Sequence, residues 1–109
     1  MNAEKLKKSK EYKLVFTNGK KLNGKNFILQ FLNTDLSFTR IGITASKKLG
    51  NATKRNFVKR RIRCLLKIIY FKKVDTSSDL VIVAKKGALT EKFENLSNEL
   101  NRLLKNIEN

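Results

Sequence analysis

The chain of 109 residues has no histidine and a single cysteine, Cys64. It therefore lacks the imidazole and thiol groups that form most zinc sites and that act as general bases or nucleophiles in many hydrolases. Its acidic residues form no motif for metal-assisted catalysis or calcium binding. We expect the protein itself to contain no catalytic residue and no metal site.

Long apolar runs are also absent. No stretch approaches the roughly 18–20 apolar residues that span a bilayer, and residues 1–13 lack the apolar segment of a secretory signal. Cys64 has no second cysteine with which to form a disulfide, which fits a reducing compartment. These features predict a cytoplasmic protein with no membrane partner.

Acidic residues are scarce and unevenly placed. Lys and Arg total 25 against 9 Asp and Glu, and residues 36–74 contain 12 basic residues and no acidic one. This stretch should attract a polyanion, and nucleic acid is the obvious one. Residues 75–109 hold 5 basic and 6 acidic residues, which places them outside the binding surface. The 40% of hydrophobic residues predicts one folded domain over residues 1–109, with a flexible basic arm at 1–8.

The first half of the chain predicts a short helix followed by strands. Ser9 is placed to cap a helix over about residues 10–17, which Asn18-Gly19 would end with a left-handed residue. Apolar runs bounded by turn residues predict strands at 26–32 and 38–45. The short connection between these strands predicts that they are antiparallel neighbours.

The second half predicts a basic helix, a buried strand and a final helix. After Gly50-Asn51, apolar residues recur with helical spacing at Val58, Ile62, Leu65, Leu66 and Ile69. The opposite side of this helix gathers Asn56, Lys59, Arg60, Arg63 and Lys67. Residues 75–78 predict a loop, and the apolar run 80–84 predicts a central strand. Thr90 is placed to cap the last helix, so the pattern is that of an α+β fold.

The basic helix has a simpler interpretation as a solvated surface. Solvated helices, however, usually mix Glu with Lys four residues apart, whereas this one offers planar groups suited to phosphate oxygens at Arg55, Arg60, Arg61 and Arg63. Binding to a nucleic acid is therefore favoured. The turn at Gly50-Asn51 is either only a tight turn or, together with Lys47, Lys48 and Lys54, a phosphate cradle at a helix N-terminus.

Two aromatic residues of the first predicted helix, Tyr12 and Phe16, also allow two interpretations. They are either core residues that dock the helix on the sheet, or rings beside a basic groove that stack on bases of a single strand. The pattern leaves both open. Cys64 is expected to be a small hydrophobic residue at the edge of the core.

The most specific motif is Ser46-Lys47-Lys48-Leu49-Gly50-Asn51-Ala52, followed by Arg55-Asn56, Lys59-Arg60 and Arg63. It resembles the signature of the bacterial ribonuclease P protein subunit, and so do Tyr12-x-x-x-Phe16-x-x-Gly19 and the segments 40–46 and 81–86. The resemblance implies an α-β-β-β-α-β-α sandwich with a left-handed βαβ crossover. It also implies a non-catalytic subunit of an RNA enzyme, which removes the 5′ leader of precursor tRNA with Mg²⁺ bound mainly by the RNA and the substrate.

The resemblance also assigns residues to the two predicted partners, the catalytic RNA subunit and precursor tRNA. The RNA subunit would contact Lys47, Lys48, Asn51, Arg55, Asn56, Lys59, Arg60 and Arg63, a surface that Lys54 and Lys67 extend by their charge. A cleft for the single-stranded leader would use Tyr12, Phe16, Ile28 and Gln30. No obligate protein partner is predicted.

The sequence departs from the family pattern at two positions. Phe57 replaces the last residue of the family's Arg-Asn-Arg motif, and we expect Lys54 and Arg61 to compensate. Gln30 stands where relatives often carry tyrosine, so leader contact there is expected to be a hydrogen bond.

One other class of protein remains as an alternative, and two more fit the sequence poorly. A small ribosomal or RNA-chaperone-type protein would share the charge and size but lack the spacing of the motif. A stand-alone nuclease would need histidines or an acidic metal cluster. A membrane-surface helix would have to expose the apolar side that the strands are expected to cover.

Overall fold

The computed structural model describes residues 3–69 and 77–108. Within them, five strands form one mixed sheet: β1 (Ala3–Lys5), β2 (Lys20–Asn23), β3 (Phe27–Asn33), β4 (Thr39–Ala45) and β5 (Ser78–Ala84). The helices are α1 (Ser9–Asn18), α2 (Ala52–Ile68) and α3 (Phe93–Lys105). Short 3-10 turns lie at Lys47–Leu49, Lys86–Leu89 and Asn106–Glu108. The predicted loop at 75–78 lies partly outside the described residues.

The strand order is β1-β4-β5-β3-β2. The prediction that β3 and β4 are antiparallel neighbours is wrong, because β5 lies between them, antiparallel to β3 and parallel to β4. Residues 80–84 of β5 are apolar on both faces. A central position removes more of this apolar surface from water than an edge position would. The prediction of a central strand is confirmed.

The predicted α-β-β-β-α-β-α order is present, with β1 added at its start. The prediction of a flexible arm over residues 1–8 is wrong for the described part, because β1 pairs in parallel with β4 and Leu6 is only 5% exposed. Leu6 packs with Val15 and Val81, which fixes the segment between β1 and α1. The strands β4 and β5 are parallel neighbours connected through α2, and the left hand of that crossover stays a prediction.

Three predicted helix ends are wrong. The N-cap of α1 is Lys8 rather than Ser9, and the Glu11 carboxylate accepts hydrogen bonds from the backbone amides of Lys7 and Lys8 at 3.1 and 3.0 Å. Gly19 ends α1 with a φ of −84°, so no left-handed residue is needed there. Thr90 follows a 3-10 turn, and α3 begins three residues later.

The helices cover both faces of the sheet. α2 and α3 pack on one face, where Phe27 and Leu29 of β3 meet Val58 and Ile62 of α2 and Leu100 of α3. α1 packs on the other face. None of the described helices is long and apolar enough to cross a bilayer.

One buried carboxylate joins α3 to the sheet. Glu99 is 6% exposed and accepts hydrogen bonds from the backbone amides of Asn26 and Phe27 at 2.8 and 3.0 Å. The Asn26 side-chain amide donates a third hydrogen bond to it at 2.9 Å. Because buried donors are costly when unpaired, Glu99 holds the start of β3 in place, a role that sequence analysis missed.

Candidate nucleic-acid interface

A sharp turn leads from β4 into α2. Gly50 has φ 135° and ψ −156°, a region that is essentially restricted to glycine. The Asn51 side chain caps α2 by accepting a hydrogen bond from the Lys54 amide at 3.0 Å, and Ser46 accepts one from the Lys48 amide at 3.1 Å. This local chemistry fixes where the helix begins and exposes its first turn.

The predicted RNA-binding residues lie on the turn and on the outer side of α2. We call them the basic surface: Lys47, Lys48, Asn51, Lys54, Arg55, Asn56, Lys59, Arg60, Arg63 and Lys67. Arg55 and Lys59 are half-buried and the others are exposed. In residues 3–69 and 77–108 none of these cations forms an ion pair, since the pairs there use Lys25 and Arg40. The charges are therefore available to an anionic partner.

Arg61, in contrast, has a structural role. Its guanidinium donates hydrogen bonds to the carbonyl oxygens of Ala88 and Glu91 at 2.9 and 2.7 Å, which ties α2 to the segment before α3. The carbonyl groups occupy part of its N–H donors, and the expectation that Arg61 compensates for Phe57 by binding RNA stays a prediction. The sequence position that could have indicated this role is that of Arg61 next to Ile62, at the edge of the buried apolar side of α2.

Cys64 and Phe57 lie on the exposed flank of α2 that Arg61 borders. The prediction that Cys64 lies at the edge of the core is wrong, because it is exposed. Six residues after buried Val58, it points about 120° away from that residue around the helix axis, at 100° per residue. Phe57 is 45% exposed, and its ring centroid lies 5.7 Å from the Arg61 guanidinium carbon.

α1 crosses the sheet along one row of paired residues. The row consists of Gly42, Val81, Gln30 and Lys21. Tyr12 lies over Gly42, and Val15 is buried against Val81. The Phe16 ring centroid lies 4.9 Å from the Lys21 ammonium. Lys21 is a neighbour of Phe16 that sequence analysis missed, since the short polar strand β2 has no apolar alternation.

The two aromatic residues have different environments. Tyr12 is half-buried, donates a hydrogen bond to the Leu6 carbonyl at 3.3 Å, and packs so tightly on Gly42 that a Cβ there would lie 2.6 Å from its Cζ. Burial raises the pKa of its hydroxyl above the ordinary value. Phe16 is 60% exposed. Tyr12 thus docks α1 on the sheet, whereas Phe16 is available for contact.

The next row of the sheet lies beside α1. It consists of Thr44, Val83, Ile28 and Asn23, of which the first three are half-buried and Asn23 is exposed. We call this row, together with the α1 side chains Tyr12 and Phe16, the cleft. Gln30 is only 6% exposed at its base. Thr44 and Val83 belong to this row, which forms the floor of the cleft, and were missed, because the pairing of Val83 with both Thr44 and Ile28 depends on the position of β5 between β4 and β3.

An ion cluster holds α1 on its other side. Arg40 donates to the buried Asp79 carboxylate through Nε and Nη2 at 2.8 and 2.6 Å, and through Nη1 to Glu11. The amides of Lys8 and Lys7, and then Arg40, hold the pKa of Glu11 below its ordinary value. The cluster fixes the first turn of α1 against β4 and β5, and therefore the wall of the cleft.

The chain has an α+β fold in which the turn and helix α2 carry cations that form no ion pair within the described residues, and an open row lies beside α1. This arrangement is typical of a nucleic-acid-binding protein. The model of the family Ribonuclease P matches residues 1–108. The chain belongs to this family and is the protein subunit of ribonuclease P, the ribonuclease complex of tRNA processing.

Individual relatives agree with this assignment. The ribonuclease P protein component of Streptococcus pyogenes serotype M5 is 33% identical over 100 residues, which cover 92% of this chain and 82% of the relative. That of Syntrophus aciditrophicus is 35% identical over 102 residues, with coverages of 94% and 85%. The RNase P protein structures from Staphylococcus aureus and Thermotoga maritima superpose with TM-scores of 0.82 and 0.84 at 29% and 28% identity. They cover 98% and 97% of this chain, and 97% and 99% of their own.

Proposed function

We propose that this subunit binds the catalytic RNA through its basic surface and the single-stranded 5′ leader of precursor tRNA through its cleft. The RNA then cuts the leader from the substrate and leaves the mature 5′ end. The observation that carries the proposal is the set of cations on α2 and its preceding turn, which form no ion pairs in the described residues.

The basic surface suits a folded RNA backbone. Each Lys or Arg that neutralises a phosphate releases condensed counterions, which favours binding and makes it salt-dependent. α2 is anchored by Val58 and Ile62, so Arg60 and Arg63 project from a rigid element. Fixed spacing reduces the conformational entropy that binding must overcome.

The cleft suits an extended single strand rather than a duplex. Its floor presents short side chains at Thr44, Val83 and Ile28, and the exposed ring of Phe16 offers a surface on which a base can stack. The ammonium group of Lys21 lies over that ring and can meet the backbone of the leader. Gln30 is nearly buried and can contact the leader only slightly, so it serves mainly to support the floor.

We assign the cutting step to the RNA, with Mg²⁺ held mainly by oxygen atoms of the RNA and substrate. The buried carboxylates of Asp79 and Glu99 are already bound by Arg40 and by amide groups, which supports this assignment. The protein would raise the affinity for the substrate and lower the magnesium demand of the RNA. We place the complex in the cytoplasm, with RNA and precursor tRNA as its partners and no obligate protein partner.

Replacing Phe16 with alanine is expected to weaken binding of precursor tRNA to the holoenzyme by about 5- to 150-fold, the range for loss of one stacked base. Binding of mature tRNA, which has no leader, should change little. The measurement is the dissociation constant of each tRNA with the reconstituted holoenzyme. Leu14→Ala is the matched control, since Leu14 is 47% exposed on α1 but projects away from the cleft. An equal loss for both tRNAs would contradict the role of Phe16.

A further inference from the structure

Phe57 is a large apolar residue at the surface of a highly charged helix. It is 45% exposed, whereas α2 buries Val58 and Ile62 completely. Its neighbours one turn away along α2 are Lys54 and Arg60 at a spacing of three residues, and Arg61 at a spacing of four. The ring therefore lies among cations without belonging to the core.

Arg61 holds the ring in this exposed position. Its guanidinium lies 5.7 Å from the ring centroid and is itself fixed by the carbonyl oxygens of Ala88 and Glu91. A cation over an aromatic ring at this distance is attracted to it. The contact orients Phe57 before any partner binds, so binding would restrict its side chain less than that of a free surface residue.

We propose that Phe57 stacks on an unpaired base of the catalytic RNA. The inference rests on the proposed function of the basic surface. Phe57 has no hydrogen-bond donor for a phosphate, but its ring offers a π-face to any base. Lys54 and Arg60 beside it would bind the phosphates on either side of that base.

Charge favours RNA over a second copy of the chain as the occupant of this flank. The chain carries a net charge of +16, and residues 36–74 contain no acidic residue. Two copies that met through Phe57 would bring Lys54, Arg60 and their equivalents together, and like charges oppose such an approach. A polyanion with exposed bases satisfies both the cations and the ring.

Stacking has a signature that separates it from phosphate binding. The slope of the logarithm of the binding constant against the logarithm of salt concentration reports the number of phosphates neutralised. Loss of a stacked ring should lower affinity and leave that slope unchanged. Phe57→Arg should instead steepen the slope by about 0.7–0.9, the contribution of one additional phosphate.

The test measures dissociation constants of the full chain with the transcribed catalytic RNA across a salt series. Phe57→Ala and Phe57→Leu should each weaken binding by about 5- to 150-fold with the slope of the unsubstituted chain, whereas Phe57→Trp should retain affinity. Ile68→Ala is the matched control, because Ile68 is 67% exposed on the same flank of α2 and should be neutral. Circular dichroism verifies that each variant is folded.

Two results would overturn the proposal. Full affinity in Phe57→Ala or Phe57→Leu would mean that no base stacks on the ring. Sedimentation that shows a dimer of the unsubstituted chain and a monomer of Phe57→Ala would make a second copy the occupant. Failure of the unsubstituted chain to bind the RNA would instead refute the function proposed for the whole basic surface, so the two failures are distinguishable.

Discussion

Replacing both Arg60 and Arg63 with alanine is expected to weaken binding of the protein to its RNA subunit by about 100-fold at physiological salt. The estimate assigns about 1.4 kcal/mol to each charge-assisted contact, near the lower end of the range for hydrogen bonds to charged groups. Both arginines are exposed and form no ion pair in the described residues, so removing them leaves no buried group unpaired. Stability should change by less than about 0.5 kcal/mol.

The measurement is a dissociation constant with the RNA subunit over a salt series. Loss of two phosphate contacts should reduce the log–log slope by about 1.4–1.8. The matched control is Arg102→Ala combined with Lys105→Ala, which removes the same charge from the exposed side of α3. If the two double variants lose equal affinity, net charge alone governs binding and the basic surface has no specific role.

Replacing Glu99 with leucine is expected to lower the free energy of unfolding by about 3–5 kcal/mol. The substitution leaves three buried donors without acceptors, namely the amides of Asn26 and Phe27 and the side-chain amide of Asn26. Because a domain of this size is stable by about 5–15 kcal/mol, this loss is a large share of the total. Denaturation with urea, followed by circular dichroism, measures it.

Two further variants test the reason for the effect. Glu99→Gln retains one acceptor oxygen in a side chain of similar shape, so it should lose less free energy of unfolding than Glu99→Leu. Glu94→Leu removes an exposed carboxylate from the first turn of the same helix and should cost at most about 1 kcal/mol through the helix dipole. A loss below 1 kcal/mol for Glu99→Leu would mean that the hydrogen bonds of Glu99 contribute little to the fold.

Periodic burial made much of the fold predictable. α2 buries Val58, Ile62 and Leu65, which recur at helical spacing, and the continuous apolar run of β5 occupies the centre of the sheet. The turn before α2 was predictable because Gly50 and Asn51 act locally, through a positive φ and an N-cap. Such signals depend on neighbours within a few residues.

Features that depend on distant partners were not predictable. The insertion of β5 between β3 and β4 joins segments that are far apart in the sequence, such as Arg40 with Asp79 and Phe27 with Ala84, and a short connection suggested a hairpin instead. The roles of Arg61 and Glu99 follow from carbonyl and amide groups on other elements. In both cases the charge of the side chain suggests that it faces solvent. Hydrogen bonds to the carbonyl or amide groups allow the side chain to be partly or fully buried instead.

The candidate site also contains a part that was predictable from local patterns and a part that was not. The cations that α2 contributes to the basic surface were predicted from their charge and spacing, and all of them except the half-buried Arg55 and Lys59 are exposed. The floor of the cleft depends on sheet register, which places Val83 between Thr44 and Ile28. The sequence pattern indicates each strand, but it does not indicate which residues of neighbouring strands pair to form this row.

The most direct test of the central claim is reconstituted cleavage of precursor tRNA at limiting magnesium. The catalytic RNA is assayed alone, with the protein, and with the variant that carries Arg60→Ala and Arg63→Ala. We predict that the protein accelerates removal of the 5′ leader, that the protein alone gives no cleavage, and that the variant stimulates less. Cleavage by the RNA that is unchanged when the protein is added would contradict the account.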